Sequence, residues 1–162
     1  MASGRSIEKR KGQIKEITSS LERREKRVED LEGRYAQAMD ARMALEGVEG
    51  LDDEAREYFQ ELSADDLENL HEEGEELADE MMDETQQLEE VRQENADAME
   101  GNREAAQHAK KFESATDGNA TSAIEQNSES ISEVTNDIND AQKKIDDLSN
   151  RARNLSKRGG SF

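Results

Sequence analysis

Residues 124–155 read IEQNSESISEVTNDINDAQKKIDDLSNRARNL. Every third and fourth position of that stretch forms one series: Ile124, Asn127, Ile131, Val134, Ile138, Ala141, Ile145, Leu148, Ala152 and Leu155. Asn127 is its single polar member. A 3-4 spacing keeps an apolar stripe on one side of an α-helix over many turns, which is the requirement of coiled-coil packing. Such a stripe needs a second helix to cover it, so residues 124–155 set an all-helical fold for the chain.

Composition points the same way. Hydrophobic residues make up 31% of the chain, aromatics 3% and charged residues 39%, too little apolar volume for a compact globule and enough for an extended seam. A net charge of −19 would permit disorder, but solvated segments have no reason to hold apolar residues in register. The absence of Pro suits long uninterrupted helices. The absence of Cys removes disulfides, thiolate metal ligands and a cysteine nucleophile.

Upstream of the stripe, Asp117-Gly118-Asn119 is a turn signal, and Ser122 with Glu125 forms a capping box, so the last helix is expected over about 122–157. Before that turn a weaker seam runs Leu67, Leu70, Gly74, Leu77, Met81, Glu84, Leu88, Val91, Asn95, Ala98, Asn102, Ala105, Ala109, Phe112, predicting one helix over 64–114, with Gly101-Asn102 as the place where any bend or break would fall. Ser63-Ala64-Asp65-Asp66 is read as the capping box that starts it. A short extra helix is expected over 53–62, capped by Asp52 or Asp53, with Tyr58, Phe59 and Leu62 as an apolar patch for core packing or docking.

The first helix is expected over 6–46, stopping at Gly47 in a left-handed cap. Its seam is Ile7, Arg10, Ile14, Ile17, Leu21, Arg24, Val28, Leu31, Tyr35, Ala38, Arg42 and Leu45. The three arginines in it must reach solvent along the seam edge or pair with carboxylates of the neighbouring helix. Short turns favour antiparallel neighbours. The expected fold is therefore one elongated domain, 1–162, an up-down-up three-helix bundle or coiled coil ending in a flexible tail, 158–162.

Charge is segregated. Between Glu46 and Glu100 there are 23 carboxylates against two cations, Arg56 and Arg92, whereas residues 1–30 carry nine basic and six acidic side chains. A basic first helix lying along an acidic middle one would neutralise part of this internally, and the remainder repels nucleic acid phosphate. The C-terminal residues Arg151, Arg153, Lys157 and Arg158 with Phe162 form a basic segment. It fits either a charge complement to the helix dipole or a docking tail.

Chemistry-bearing motifs are sparse. Glu68-Asn69-Leu70-His71 has the E-x-x-H spacing of di-iron bundles, but His108, the other histidine, provides no second copy. Residues 69–80 resemble a Ca²⁺ loop only in Gly74 and Glu80. No nucleophile-base arrangement or phosphate loop is present, so neither an enzyme nor a bound metal or cofactor is expected. No apolar run reaches the roughly 18–20 residues of a membrane span, so no membrane insertion is expected. The N-terminal segment lacks a signal peptide's apolar region. The expected location is cytoplasmic, or secreted without a cleaved leader.

Heptad-bearing end helices, an acidic helical middle, no cysteine and no signal peptide resemble the small helical proteins of type VII secretion, the WXG-type hairpins and the helical partners of LXG-type toxins. There is no Trp and so no W-x-G turn, its nearest equivalent being Asp117-Gly118-Asn119, and the residues four beyond Tyr35 and Tyr58 are Met39 and Leu62 rather than acids. No functional residue is carried over. The resemblance implies a non-enzymatic adaptor or chaperone for a secreted helical protein. Phage capsid scaffolding proteins are similar in being acidic, helical and dimeric with a basic C-terminal segment, and a third expectation is an acidic DNA mimic. The residues expected to meet a helical partner or a second copy are Ile124, Asn127, Ile131, Val134, Ile138, Ile145, Leu148 and Leu155, together with Tyr58 and Phe59.

Overall fold

The computed structural model describes the backbone of residues 2–50, 52–111 and 119–160, with side chains at 6–50, 52–58, 60–61, 64–111 and 119–158. The regular structure among the described residues is entirely helical. It comprises α1, Ala2–Glu46; α2, Asp53–Lys111; and α3, Asn119–Gly160.

Two boundaries of α2 and α3 differ from expectation. The separate helix over 53–62 is absent, because α2 runs unbroken through 62–64. Restarting a helix there would orphan about four backbone groups on each side of the break, and neither Gly nor Pro lies between Asp53 and Asp66 to force it. Through Gly101 the helical backbone continues, in keeping with the single helix expected there. At the other end α3 reaches Gly160, so residues 158–160 belong to the helix, whereas Phe162 lies outside the described residues.

The turn between α1 and α2 also departs in detail. Val48 N donates to Leu45 O at 3.4 Å, a tight right-handed closure that carries the chain past Gly47. The left-handed residue is Gly50, with φ of 86°, a conformation that costs glycine little. Asp52 then caps α2, its Oδ1 accepting from Ala55 N at 2.7 Å.

The described residues form two compact units, each taking one stretch of every helix. Side chains in helix packing touch only nearby layers, so a seam of this kind resolves into local clusters instead of one centre. The first unit comprises Met1–Ser20 and Glu84–Lys144. Its core joins Ile14 and Ile17 of α1, Leu88 and Val91 of α2, and Ile131, Val134 and Ile138 of α3, all buried. The second comprises Leu21–Asp83 and Ile145–Phe162. There Leu21, Val28 and Leu31 meet Leu67, Leu70, Leu77 and Met81, with Ile145, Leu148 and Leu155. Burying each such side chain stabilises by about 1.5–3 kcal/mol.

In the second unit Arg24 pairs with Glu80, and Arg34 with Glu73 at 2.8 Å. Numbers rise along α1 as they fall along α2, so the two stretches run in opposite directions at these pairs. The α3 stripe is buried from Ile131 to Leu155 against this chain's own helices. These stripe residues are also among those expected to meet a partner or second copy, and here they are covered within the chain. Leucines of α2 and the α1 aliphatics supply enough cover, because each unit needs only a few of them.

Gly74 has the opposite role to the weak point its place in the seam suggests. A Cβ there would stand 2.8 Å from Ala152 O and 3.2 Å from Ser156 N, so α2 and α3 approach backbone to backbone at this level. One turn earlier His71 Nδ1 donates to Ser156 O at 2.6 Å, clasping the same approach. Gly33 has nothing within 4 Å of its virtual Cβ. Gly33→Ala should therefore gain about 0.5–1 kcal/mol by helix propensity alone. Gly74→Ala should lose stability despite the same propensity gain, by roughly 1–3 kcal/mol for an overpacked contact. Urea unfolding of the two variants checks the opposite signs.

Candidate functional site

The first unit holds a cavity of about 800 Å³ bounded by all three helices: Ile7 and Arg10 from α1, Ala98 and Asn102 from α2, Ile124 and Asn127 from α3. It exists because the α2 seam turns small and polar here. Ala98, Asn102 and Ala105 replace the leucines found farther along, and Ile124 and Asn127 opposite them are only half-buried.

The polar seam residues are largely tied up among themselves. Asn127 Nδ2 donates to Asn102 Oδ1 at 2.9 Å, and Asn102 Nδ2 donates to Ile124 O at 3.2 Å. Asn95, two turns earlier on α2, donates to Thr135 Oγ1 at 2.9 Å and to Ile131 O at 3.4 Å. Asn127, the stripe's single polar member, contacts another helix of its own chain. The matching Asn102 carried a readable signal, since two polar seam residues flanking one turn are candidates to pair.

Arg10 differs from these. The residue is 3% exposed, and its Nε and Nη2 have no hydrogen-bond partner among the described residues. Burial pulls its pKa below the ordinary arginine value, and nearby Glu94 acts against that. The folded value lies below the unfolded one, so folding disfavours the charged form. At any ordinary pH the group is charged regardless, and the cost has no pH dependence. Of the other seam arginines, Arg24 finds the carboxylate expected of it in Glu80, while Arg42 is half-buried.

The second unit carries charge rather than a cavity. Glu72, Glu75, Glu76 and Asp79 are exposed along one side of α2, spaced as helical neighbours, with half-buried Glu80 beside them. His71 of the E-x-x-H motif is held by Ser156, with Nε2 3.8 Å from Glu75. No group of three metal-ligating side chains converges among the described residues. Residues 69–80 are helical within α2 and form no loop.

The expected docking residues are placed unevenly. Tyr58 is 60% exposed, against the core-packing expectation. The side chain of Phe59 lies outside the described residues. In the basic segment, Arg151 pairs with Glu32 and Asp147, and Glu32 raises the Arg151 pKa by hydrogen bonding. Arg158 stands 6.0 Å over the Tyr35 ring. Of these residues Arg151 is half-buried, and Arg153, Lys157 and Arg158 are exposed.

Comparison with family models, curated proteins and solved structures finds no match.

Asn127→Ala should cost about 0.5–1.5 kcal/mol by removing the cross-helix amide bond. The double variant with Asn102→Ala should lose less than the two single losses added together, which a double-mutant cycle in urea measures. Arg10→Met should raise stability by on the order of 1 kcal/mol through removing a desolvated cation, equally at pH 6 and pH 9.

Proposed function

We propose that this chain is a non-enzymatic helical adaptor or chaperone, with its helices in up-down-up order, that engages a basic helical protein through the exposed acidic side of α2. The carrying observation is the division of labour between faces. The apolar stripes are spent inside the two units, while Glu72, Glu75, Glu76 and Asp79 face solvent together. Opposite charge on a partner would steer and register its docking. On architectural resemblance, the context we propose is pairing with a secreted helical protein of the type VII kind.

Support for the scaffolding alternative weakens where Arg151 and Arg158 are engaged inside the chain. The exposed carboxylates also favour one other reading, occupation of a partner's DNA-binding groove, and a single experiment separates the two. The helical products of adjacent genes are co-expressed with the chain, and complex formation is followed by light scattering and calorimetry at two salt concentrations. Reversing Glu72, Glu75, Glu76 and Asp79 to Lys should weaken the complex at least about tenfold at low salt and less at high salt. A complex indifferent to the reversal sinks the proposed surface. Displacement of the chain by duplex DNA would instead make it a DNA mimic.

A further inference from the structure

Burial in the second unit stops well short of the turn that joins α1 to α2. Among the described residues, none beyond Leu31 on α1 and none of α2 ahead of Leu67 is buried, although α1 runs on to Glu46 and α2 begins at Asp53. The end of α3 accounts for this. Arg158, in its last turn, stands over the Tyr35 ring, and from Tyr35 α1 continues eleven residues to Glu46, about 16 Å.

The side of each helix that α3 covers can be followed past that level. On α1 it is marked by Glu32, the partner of Arg151. Met39 and Met43, seven and eleven residues on, each return to within about 20° of Glu32 around the helix. On α2 the marker is His71, bonded to Ser156, and Ala64, seven residues ahead of it, returns to the same side. Met39 and Ala64 are half-buried and Met43 is 66% exposed. An apolar line thus continues along the path of α3 with no third helix over it among the described residues.

Charge says what would cover it. From Asp40 to Asp66 there are ten carboxylates, all exposed, against Arg42 and Arg56, both half-buried. Arg56 in addition donates to Val48 O at 3.3 Å. A second copy of the chain would bring the same ten carboxylates to the contact, at a cost in repulsion, whereas a cationic helix would be drawn to it.

We propose that the α1–α2 hairpin beyond Tyr35 takes a basic amphipathic helix of a partner as its third helix, laid in line with α3 with its apolar side on Met39, Met43 and Ala64. This rests on the reading of the chain as an adaptor for a basic helical protein, and adds to it an apolar contact separate from Glu72, Glu75, Glu76 and Asp79. The carboxylates steer the helix to the hairpin. The two unbranched thioethers give its apolar side an adaptable seat.

The test uses a peptide of three heptads, with Leu at the first and fourth positions and Ala and Lys elsewhere. It is titrated into the full chain carrying ¹³C at its methionine methyls. Saturable one-to-one binding is expected, with the Met39 and Met43 methyl resonances shifting together. Met82, 60% exposed and three residues beyond Asp79, reports separately on the acidic side of α2. The same peptide with Glu in place of Lys should not bind. Met43→Gln, which should keep its helicity by circular dichroism, should weaken binding at least about fivefold. Tyr58→Ala should leave binding unchanged, because Tyr58 lies thirteen residues ahead of His71, about 140° away around α2. Any one of four results overturns the site. A shift at Met82 without one at Met43 would put the peptide on the acidic side and leave the adaptor reading standing. A Met43 shift on concentrating the chain alone would make a second copy the occupant. The others are affinity unchanged in Met43→Gln and no saturable binding at millimolar peptide.

Discussion

Scarcity of apolar surface is the constraint on which everything else in this molecule rests. With fewer than a third of its residues hydrophobic, the chain cannot leave a good apolar stripe uncovered and still fold. The α3 stripe is therefore shared by both other helices, and in each unit a few aliphatics from α1 and α2 close over it. Long helices suit this economy, because each satisfies its own backbone and asks for apolar contact along one side only.

Polar residues inside the seam follow from the same shortage. Asn95, Asn102 and Asn127 occupy positions where an aliphatic would stabilise more, and they are tolerated because each finds an amide, hydroxyl or carbonyl on a neighbouring helix. Glu84, 4% exposed, and Arg10 are the charged intrusions. Arg10 is the one of the two with Nε and Nη2 lacking a hydrogen-bond partner among the described residues.

Electrostatics organise the outside. The basic beginning and the acidic middle of the chain meet at Arg24 with Glu80 and at Arg34 with Glu73, and Glu32 takes Arg151 from α3. Such partly exposed pairs contribute modestly to stability, but they disfavour a slipped register, which would bring like charges together. Carboxylates beyond these pairs remain on the α2 surface, an excess that internal pairing does not neutralise.

Helical class, three long segments and the positions of most buried residues were legible in the amino-acid order. A 3-4 periodicity reports which face of a helix avoids water whatever covers it, and Ile131 to Leu155 illustrate this at each stripe position. Asp52 was legible as a cap for a similar reason: its partner, Ala55 N, is local. The second group of features depends on distances between segments remote in sequence, about which periodicity is silent. Gly74 reads as a gap in a seam, and only the approach of Ala152 O makes it a close contact. Arg10, Arg24 and Arg42 read alike. Tertiary structure gave Arg24 an ion pair with Glu80, and left Arg10 Nε and Nη2 without a hydrogen-bond partner among the described residues, with Glu94 nearby. The sequence by itself determined that the chain is helical and which stripes would be buried. Which helix covers each stripe, and where the cover falls short and leaves a cavity, was decided by packing alone.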